Sequence, residues 1–176
     1  MVDGREAELI RLAQIGLEVA YAELLSPVLP EAARLAYGML QDRCAAEDSV
    51  QEAALRGWQR LGNLERGRPF RPWFLGIVVN RCRETRRDRW RWVIPLGETH
   101  DGRSDGGDWL EGSDLREALA ALPHRLRAAI VLHFYLDLPL EEVATTLGIG
   151  IAGVKSRINR GLRRLRLALE AEVMTT

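Results

Sequence analysis

Lys155, Ser156, Arg157, Asn159 and Arg160 fall within one short segment of the chain. Their side chains suit reversible hydrogen bonding to an anion and to the edges of bases. An arginine fork pairs bidentately with guanine and an asparagine with adenine, each pair worth about 1–3 kcal/mol of discrimination against a wrong base. Arg163, Arg164 and Arg166 follow on the next turns, where contact with phosphates is the more natural role. A second run, Arg81, Arg83, Arg86, Arg87, Arg89 and Arg91, lies earlier in the chain. Bond-making chemistry has no comparable constellation. No nucleophile stands beside a base, Cys44 and Cys82 are isolated, and His100, His124 and His133 lack metal-ligand spacing. No catalytic residue, metal or cofactor is expected, and both cysteines read as reduced, structural thiols.

The overall charge balance hides these clusters. The 25 basic residues equal the 25 acidic ones, so net charge alone points to no partner. The distribution is more telling. An acidic stretch with Glu98, Asp101, Asp105, Asp108, Glu111 and Asp114 separates the two arginine-rich segments. One basic cluster is commonly only a solvated face; two, one of them on a helix-turn-helix, point to nucleic acid. No apolar run approaches the roughly 20 residues that span a bilayer. The charged start of the chain lacks a signal-peptide core. A cytoplasmic protein without membrane insertion is expected.

The elements that must position these residues read as helices almost throughout. Pro139 sets up a helix over 140–147, with Val143, Ala144 and Leu147 inward. Gly148 supplies the positive φ of a tight turn. A second helix, over 151–169, carries Val154, Ile158, Leu162, Leu165 and Leu169 on its apolar stripe. The small Ala144 lets the two helices cross closely. This is the layout of a helix-turn-helix, whose second helix enters the major groove by its N-terminal part. The competing view is an amphipathic hairpin with a solvated basic face. Gly150 and Gly153 loosen the start of the second helix by up to about 1 kcal/mol relative to alanine.

Four helices precede. One runs over 4–25 with Leu9, Leu12, Ala13, Gly16 and Leu17 apolar, and Pro30 suits the first turn of the next. A third starts near Cys44, has Glu47 and Asp48 in its first turn, and turns Val50, Ala54, Trp58 and Leu61 inward. After a loop over 62–69, Pro72 opens a fourth, with Trp73, Phe74, Ile77 and Val78 on one side, which runs into the arginines. Residues 93–112 are rich in Gly and Asp and lack periodicity, the signature of a linker. Regular structure resumes at Asp114, read as a helix N-cap; Pro123 ends that helix and another covers 124–135. The expectation is an all-α chain of two small helical domains, 1–92 and 113–176, joined by a flexible linker. Extended, that linker reaches at most about 66 Å.

Two blocks of this sequence resemble a known family. CAAEDSVQEAALRGWQRL and the following RPFRPWFLGIVVNRCRETRRDR resemble region 2 of bacterial sigma-70-type factors. ALAALPHRLRAAIVLHFYLDLPLEEVATTLGIGIAGVKSRINRGLRRLR resembles their region 4. With both regions in the family's order and a short linker between, the chain resembles the extracytoplasmic-function (ECF) class. The resemblance implies a region 2-like four-helix domain and a region 4-like helix-turn-helix domain, in a promoter-recognition subunit without enzymatic activity. Its implied partners are core RNA polymerase, through the β′ clamp helices and the β subunit, promoter DNA, and a separate anti-sigma factor. It places polymerase contacts at Asp48, Gln51, Glu52 and Leu55. It places −10 contacts at Arg68, Arg71, Asn80, Arg83, Arg86 and Arg87, and −35 contacts at Lys155, Ser156, Arg157, Asn159, Arg160, Arg163 and Arg164.

The residues themselves leave alternatives. An acidic and polar helix face with one apolar element suits a basic helical partner, but Asp48 and Glu52 equally suit a solvated helix. Trp90 and Trp92 either stack on bases or pack the domain edge. A stand-alone helix-turn-helix regulator, or a sigma-like adaptor without promoter recognition, fits the same motifs. Gly150 and Gly153 also depart from the family, which commonly has a Ser or Thr cap and a Thr at these positions, and Ala54 stands where a bulkier apolar residue is frequent.

Overall fold

The computed structural model describes residues 3–92 and 113–173; the linker expected over 93–112 lies outside them. Among the described residues all regular structure is helical. The order is α1 (Gly4–Gln14), α2 (Glu18–Leu25), α3 (Leu29–Leu40), α4 (Arg43–Arg60), α5 (Phe70–Trp92), α6 (Ser113–Ala121), α7 (His124–Ile130), α8 (Leu140–Leu147) and α9 (Ile151–Val173). A 3-10 turn, Leu61–Asn63, follows α4, and α7 runs on into a π-type turn, Val131–Tyr135. Helices were expected at all these places, with four differences; one is Asp114, expected as an N-cap and found within the first turn of α6.

The helix expected over 4–25 is two helices. Gly16 adopts φ +98°, a conformation open to glycine and strained for other residues, and the chain turns there. Leu17 is consequently 45% exposed rather than part of a buried stripe. The N-terminal domain therefore holds five described helices where four were expected. In α4, the Asp42 side chain accepts a hydrogen bond from the Ala45 amide at 2.8 Å. This N-cap satisfies one of the unpaired amides of the helix start, and it leaves Glu47 and Asp48 beyond the first turn. In α9, Leu162 is 41% exposed. Gly161 takes the inward position instead, because Val154, Ile158, Gly161 and Leu165 keep the 3- and 4-residue spacing of one helix face.

The N-terminal core is built on Leu35, Met39, Phe70, Phe74, Leu75 and Val78, all fully buried. Phe70 and Phe74 stack with centroids 5.7 Å apart. The Tyr21 hydroxyl donates to the Ala54 carbonyl at 2.7 Å, so its burial leaves no unpaired O–H. In the C-terminal part, α6 and α7 pack on α9, and α8 crosses α9 as expected. Gly148 has φ +62°, and the Ile149 amide reaches back to the Ala144 carbonyl at 3.0 Å, closing the turn of the helix-turn-helix. The two groups of helices are in contact. α5 packs against α8, and α3 against α7 and the π-type turn, so one apolar core runs through both.

Candidate nucleic-acid and polymerase interfaces

Helix α9 presents its polar side outward because its other side is committed. Val154 and Ile158 are buried, and the positions between them face away. Lys155, Ser156, Asn159, Arg160, Arg163 and Arg164 are exposed. The helix begins after Gly150, whose carbonyl accepts from the Val154 amide at 3.1 Å. Arg157 differs from the others. It is half-buried, and desolvation, together with the Arg125 and Arg160 charges, pushes its guanidinium below the usual arginine range.

Arg125, Arg157, Arg160, Arg163 and Arg164 line one cleft of about 450 Å³ with Pro123 and Leu126. Among the described residues none of these five pairs with a carboxylate. Like charges held this close favour an anion between them. Arg125 is absent from the sequence-derived set. It lies at the start of another helix, outside any basic run, and reaches the cleft only because α7 packs closely on α9. The glycine at position 161 permits that approach, since a side chain there would strike Ile130.

The residues expected at the −10 element divide into two groups. Asn80, Arg83 and Arg87 are exposed and follow one another at helix-face spacing along α5; Arg87 lies 3.8 Å from Asp88. Arg68 is exposed and pairs with Glu65 at 2.8 Å. Arg71 and Arg86 are engaged elsewhere. Arg71 grips Glu31 with two hydrogen bonds, of 2.8 Å and 2.7 Å, and also pairs with Glu142 of α8. Both carboxylates favour its charged form. Arg86 donates to the Ala120 carbonyl at 2.8 Å. The side chains of Trp90 and Trp92 lie outside the described residues.

On α4, Asp48, Gln51 and Leu55 are exposed on one face, with Leu55 61% exposed. Glu52, half-exposed between them, pairs with Arg56 at 3.1 Å, and Arg56 also bonds Glu84 of α5. The four residues expected to meet polymerase therefore share a face, backed by Ala53 and Val50 in the core. Cys44 is exposed, whereas Cys82 is buried and its thiol pushed up to about 12 by desolvation. No described group of three His, Cys, Asp or Glu side chains is placed to hold a metal ion. No described helix is long and apolar enough to cross a membrane.

A helix-turn-helix with an open arginine cleft, a second arginine-bearing helix and an acidic–apolar face on a third define an all-helical DNA reader with a second macromolecular partner. Comparison with known proteins narrows this class. Residues 24–91 match the family described as Sigma-70 region 2, and residues 113–165 that described as Sigma-70, region 4. The chain is 34% identical over 169 residues to the ECF RNA polymerase sigma factor SigL of Mycobacterium tuberculosis, covering 88% of this chain and 94% of that one. It is 31% identical over 140 residues to the RNA polymerase sigma factor SigV of Bacillus subtilis, covering 79% and 84%. Among solved structures it resembles the sigma factor RpoE of Bartonella quintana, solved in complex with the anti-sigma factor NepR. That match has a TM-score of 0.67 and 26% identity, over 85% of this chain and 96% of that one. The chain belongs to the ECF sigma factors of the sigma-70 family.

Proposed function

We propose that the chain binds core RNA polymerase and directs it to promoters, with α9 reading the −35 element as duplex and α5 with the loop before it reading the −10 element. The observation that carries this reading is the ordered pair of sigma regions in one chain, the second of which bears an exposed, uncompensated basic recognition face. On α9, Lys155, Ser156, Arg157, Asn159 and Arg160 reach bases, and Arg163 and Arg164 hold phosphates. On the N-terminal side, Asn80, Arg83 and Arg87 are open to DNA as they stand, whereas Arg71 and Arg86 must first leave their present partners. The α4 face of Asp48, Gln51, Glu52 and Leu55 meets polymerase, where exposed acid complements a basic surface and Leu55 supplies an apolar anchor. The polymerase supplies the catalytic groups, and this chain supplies position and specificity. A separate anti-sigma factor is a fitting regulator, as the solved complex of the related RpoE with NepR supports.

The direct test adds the protein to core polymerase on a genomic template and maps transcript starts. New starts sharing two spaced sequence elements are expected. Specific duplex binding without polymerase, and no new starts, would instead mark a stand-alone regulator.

A further inference from the structure

We propose that α1 is a splint for the loop before α5, and that Glu6 and Gln14 are positioning residues which hold the exposed part of that loop to a path the −10 strand can follow. Their role rests on the reading of this loop as a −10 contact. Helix α1 lies outside residues 24–91, the stretch that matches region 2.

The loop has buried ends and an exposed middle. Leu61 and Leu64 are buried on one side and Phe70 on the other, whereas residues 65–69 are all exposed. Within it the Leu64 amide donates to the Leu61 carbonyl at 3.0 Å, and the Arg68 amide to the Glu65 carbonyl at 3.1 Å. Gly67, third residue of that second turn, has φ +81°, as a type II turn requires there. Apolar burial fixes where such anchors sit but not how their peptide planes turn. Directional hydrogen bonds do that.

Helix α1 supplies those bonds at both ends. The Gln14 side-chain amide donates to the Leu61 carbonyl at 3.0 Å and to the Leu64 carbonyl at 3.1 Å, one hydrogen to each. The Glu6 carboxylate accepts from the Phe70 amide at 2.9 Å. Phe70 opens α5. Its amide is one of those left unpaired at a helix start, where a carboxylate also meets favourable dipole charge. Pro72, two residues on, has no amide hydrogen to offer. Glu6, Ile10, Ala13 and Gln14 share one face of α1 by 4- and 3-residue spacing, and Ile10 and Ala13 bury that face in the core. The two polar residues thus stand two turns apart on a packed helix, about 12 Å along its axis. They tie both ends of the loop to one rigid element. Arg68 and its neighbours are thereby ordered before a strand arrives, so binding does not have to order them.

The test compares three variants of the full-length chain. Gln14→Met keeps the shape and cannot donate, Glu6→Leu cannot accept, and Glu6→Gln restores an acceptor oxygen. In the free chain, amide hydrogen exchange at Phe70 is expected to quicken about tenfold in Glu6→Leu and to return towards the unchanged rate in Glu6→Gln. With holoenzyme, affinity is measured for forked DNA whose single-stranded −10 element, found by transcript mapping, is intact or base-substituted. The ratio of the two affinities is expected to fall about fivefold in Gln14→Met and Glu6→Leu and to recover in Glu6→Gln. Affinity for core polymerase should stay within about twofold throughout. A residue that only supports the fold would not move that ratio apart from core affinity. A ratio unchanged in Gln14→Met and Glu6→Leu overturns the proposal, and so does a matching fall in core affinity. Should one of the two fail to fold, the other decides; failure of both overturns it. If mapping yields no promoter, the sigma reading falls, and exchange at Phe70 alone decides: quickened exchange keeps the splint, and an unchanged rate overturns it.

Discussion

Arg157 and Arg125 share a cleft with no carboxylate in it, yet they differ in reach. Arg157 lies in the first turns of the recognition helix, where a side chain meets base edges. Arg125 lines the cleft from α7 rather than from the groove-facing helix α9, and there phosphates are the available acceptors. Arg157→Ala is expected to cost about 1–3 kcal/mol at the preferred −35 sequence and to flatten the penalty for changing that sequence. Arg125→Ala is expected to weaken all promoters alike and to reduce the slope of log affinity against log salt by about 0.9, the signature of one lost phosphate contact. Titrating holoenzyme against labelled promoter fragments at several salt concentrations checks both. An unchanged slope for Arg125→Ala removes it from the interface. The α9 residues were legible in the sequence because one helix face is a local, periodic object. Arg125 was not, because its place depends on packing between α7 and α9.

At the scale of elements, α4 is held by an N-cap, by small residues facing α3 and α5, and by the Arg56 bridge between Glu52 and Glu84. Of its outer face, Glu52 shares that load through Arg56, whereas Asp48, Gln51 and Leu55 are exposed. Leu55→Ala removes an exposed side chain and should leave thermal stability within about 0.5 kcal/mol. Glu52→Ala breaks a partly exposed pair worth about 0–1 kcal/mol. Both should nevertheless weaken assembly with core polymerase, by about 1 kcal/mol or more if Leu55 is a buried anchor in the complex. Competition against a labelled unchanged chain measures this. Normal assembly by a folded Leu55→Ala protein would exclude this face from the polymerase contact. The same scale shows why some boundaries read well and others did not. Pro139 and Gly148 mark α8 by local chemistry, and its predicted limits match the structure. Gly16 looked like a small residue on a continuing stripe, because the apolar period carries across the turn without a break. The helix start expected near Cys44 left Asp42 without a role, although it caps α4. Arg71 and Arg86 read as open DNA contacts because their present partners are distant in sequence: Glu31 of α3 for Arg71, and Glu142 and Ala120 from the other end of the chain.

For the whole molecule, the two domains meet around one histidine. His124, at the start of α7, has a buried Nε2 without a hydrogen-bond partner. Burial holds its imidazole down at about 4, with the Arg83, Arg86 and Arg127 charges acting in the same direction and the Val79 backbone opposing them. Val79, Arg83 and Arg86 lie on α5, so this environment exists only while the domains touch. Released to water, the ring returns to an ordinary value near 6.5. Between those two values the undocked form therefore binds the proton that the docked form refuses. The sign follows from linkage: docking is fully favoured above about pH 6.5 and weakens as pH falls towards 4. Ordinary carboxylates begin to titrate only near the bottom of that window, so the interval from about pH 7 to pH 5 isolates the histidine. The docked-to-undocked ratio should fall on the order of tenfold across it, less if the parted histidine keeps some of its surroundings. Energy transfer between labels on Cys44 and Glu170→Cys reads the change directly. His124→Gln should abolish the pH response while keeping a neutral polar side chain at the contact. A response that persists in that variant would assign the pH sensitivity to other groups, and none in the unchanged chain would mean that His124 keeps its surroundings when the domains part.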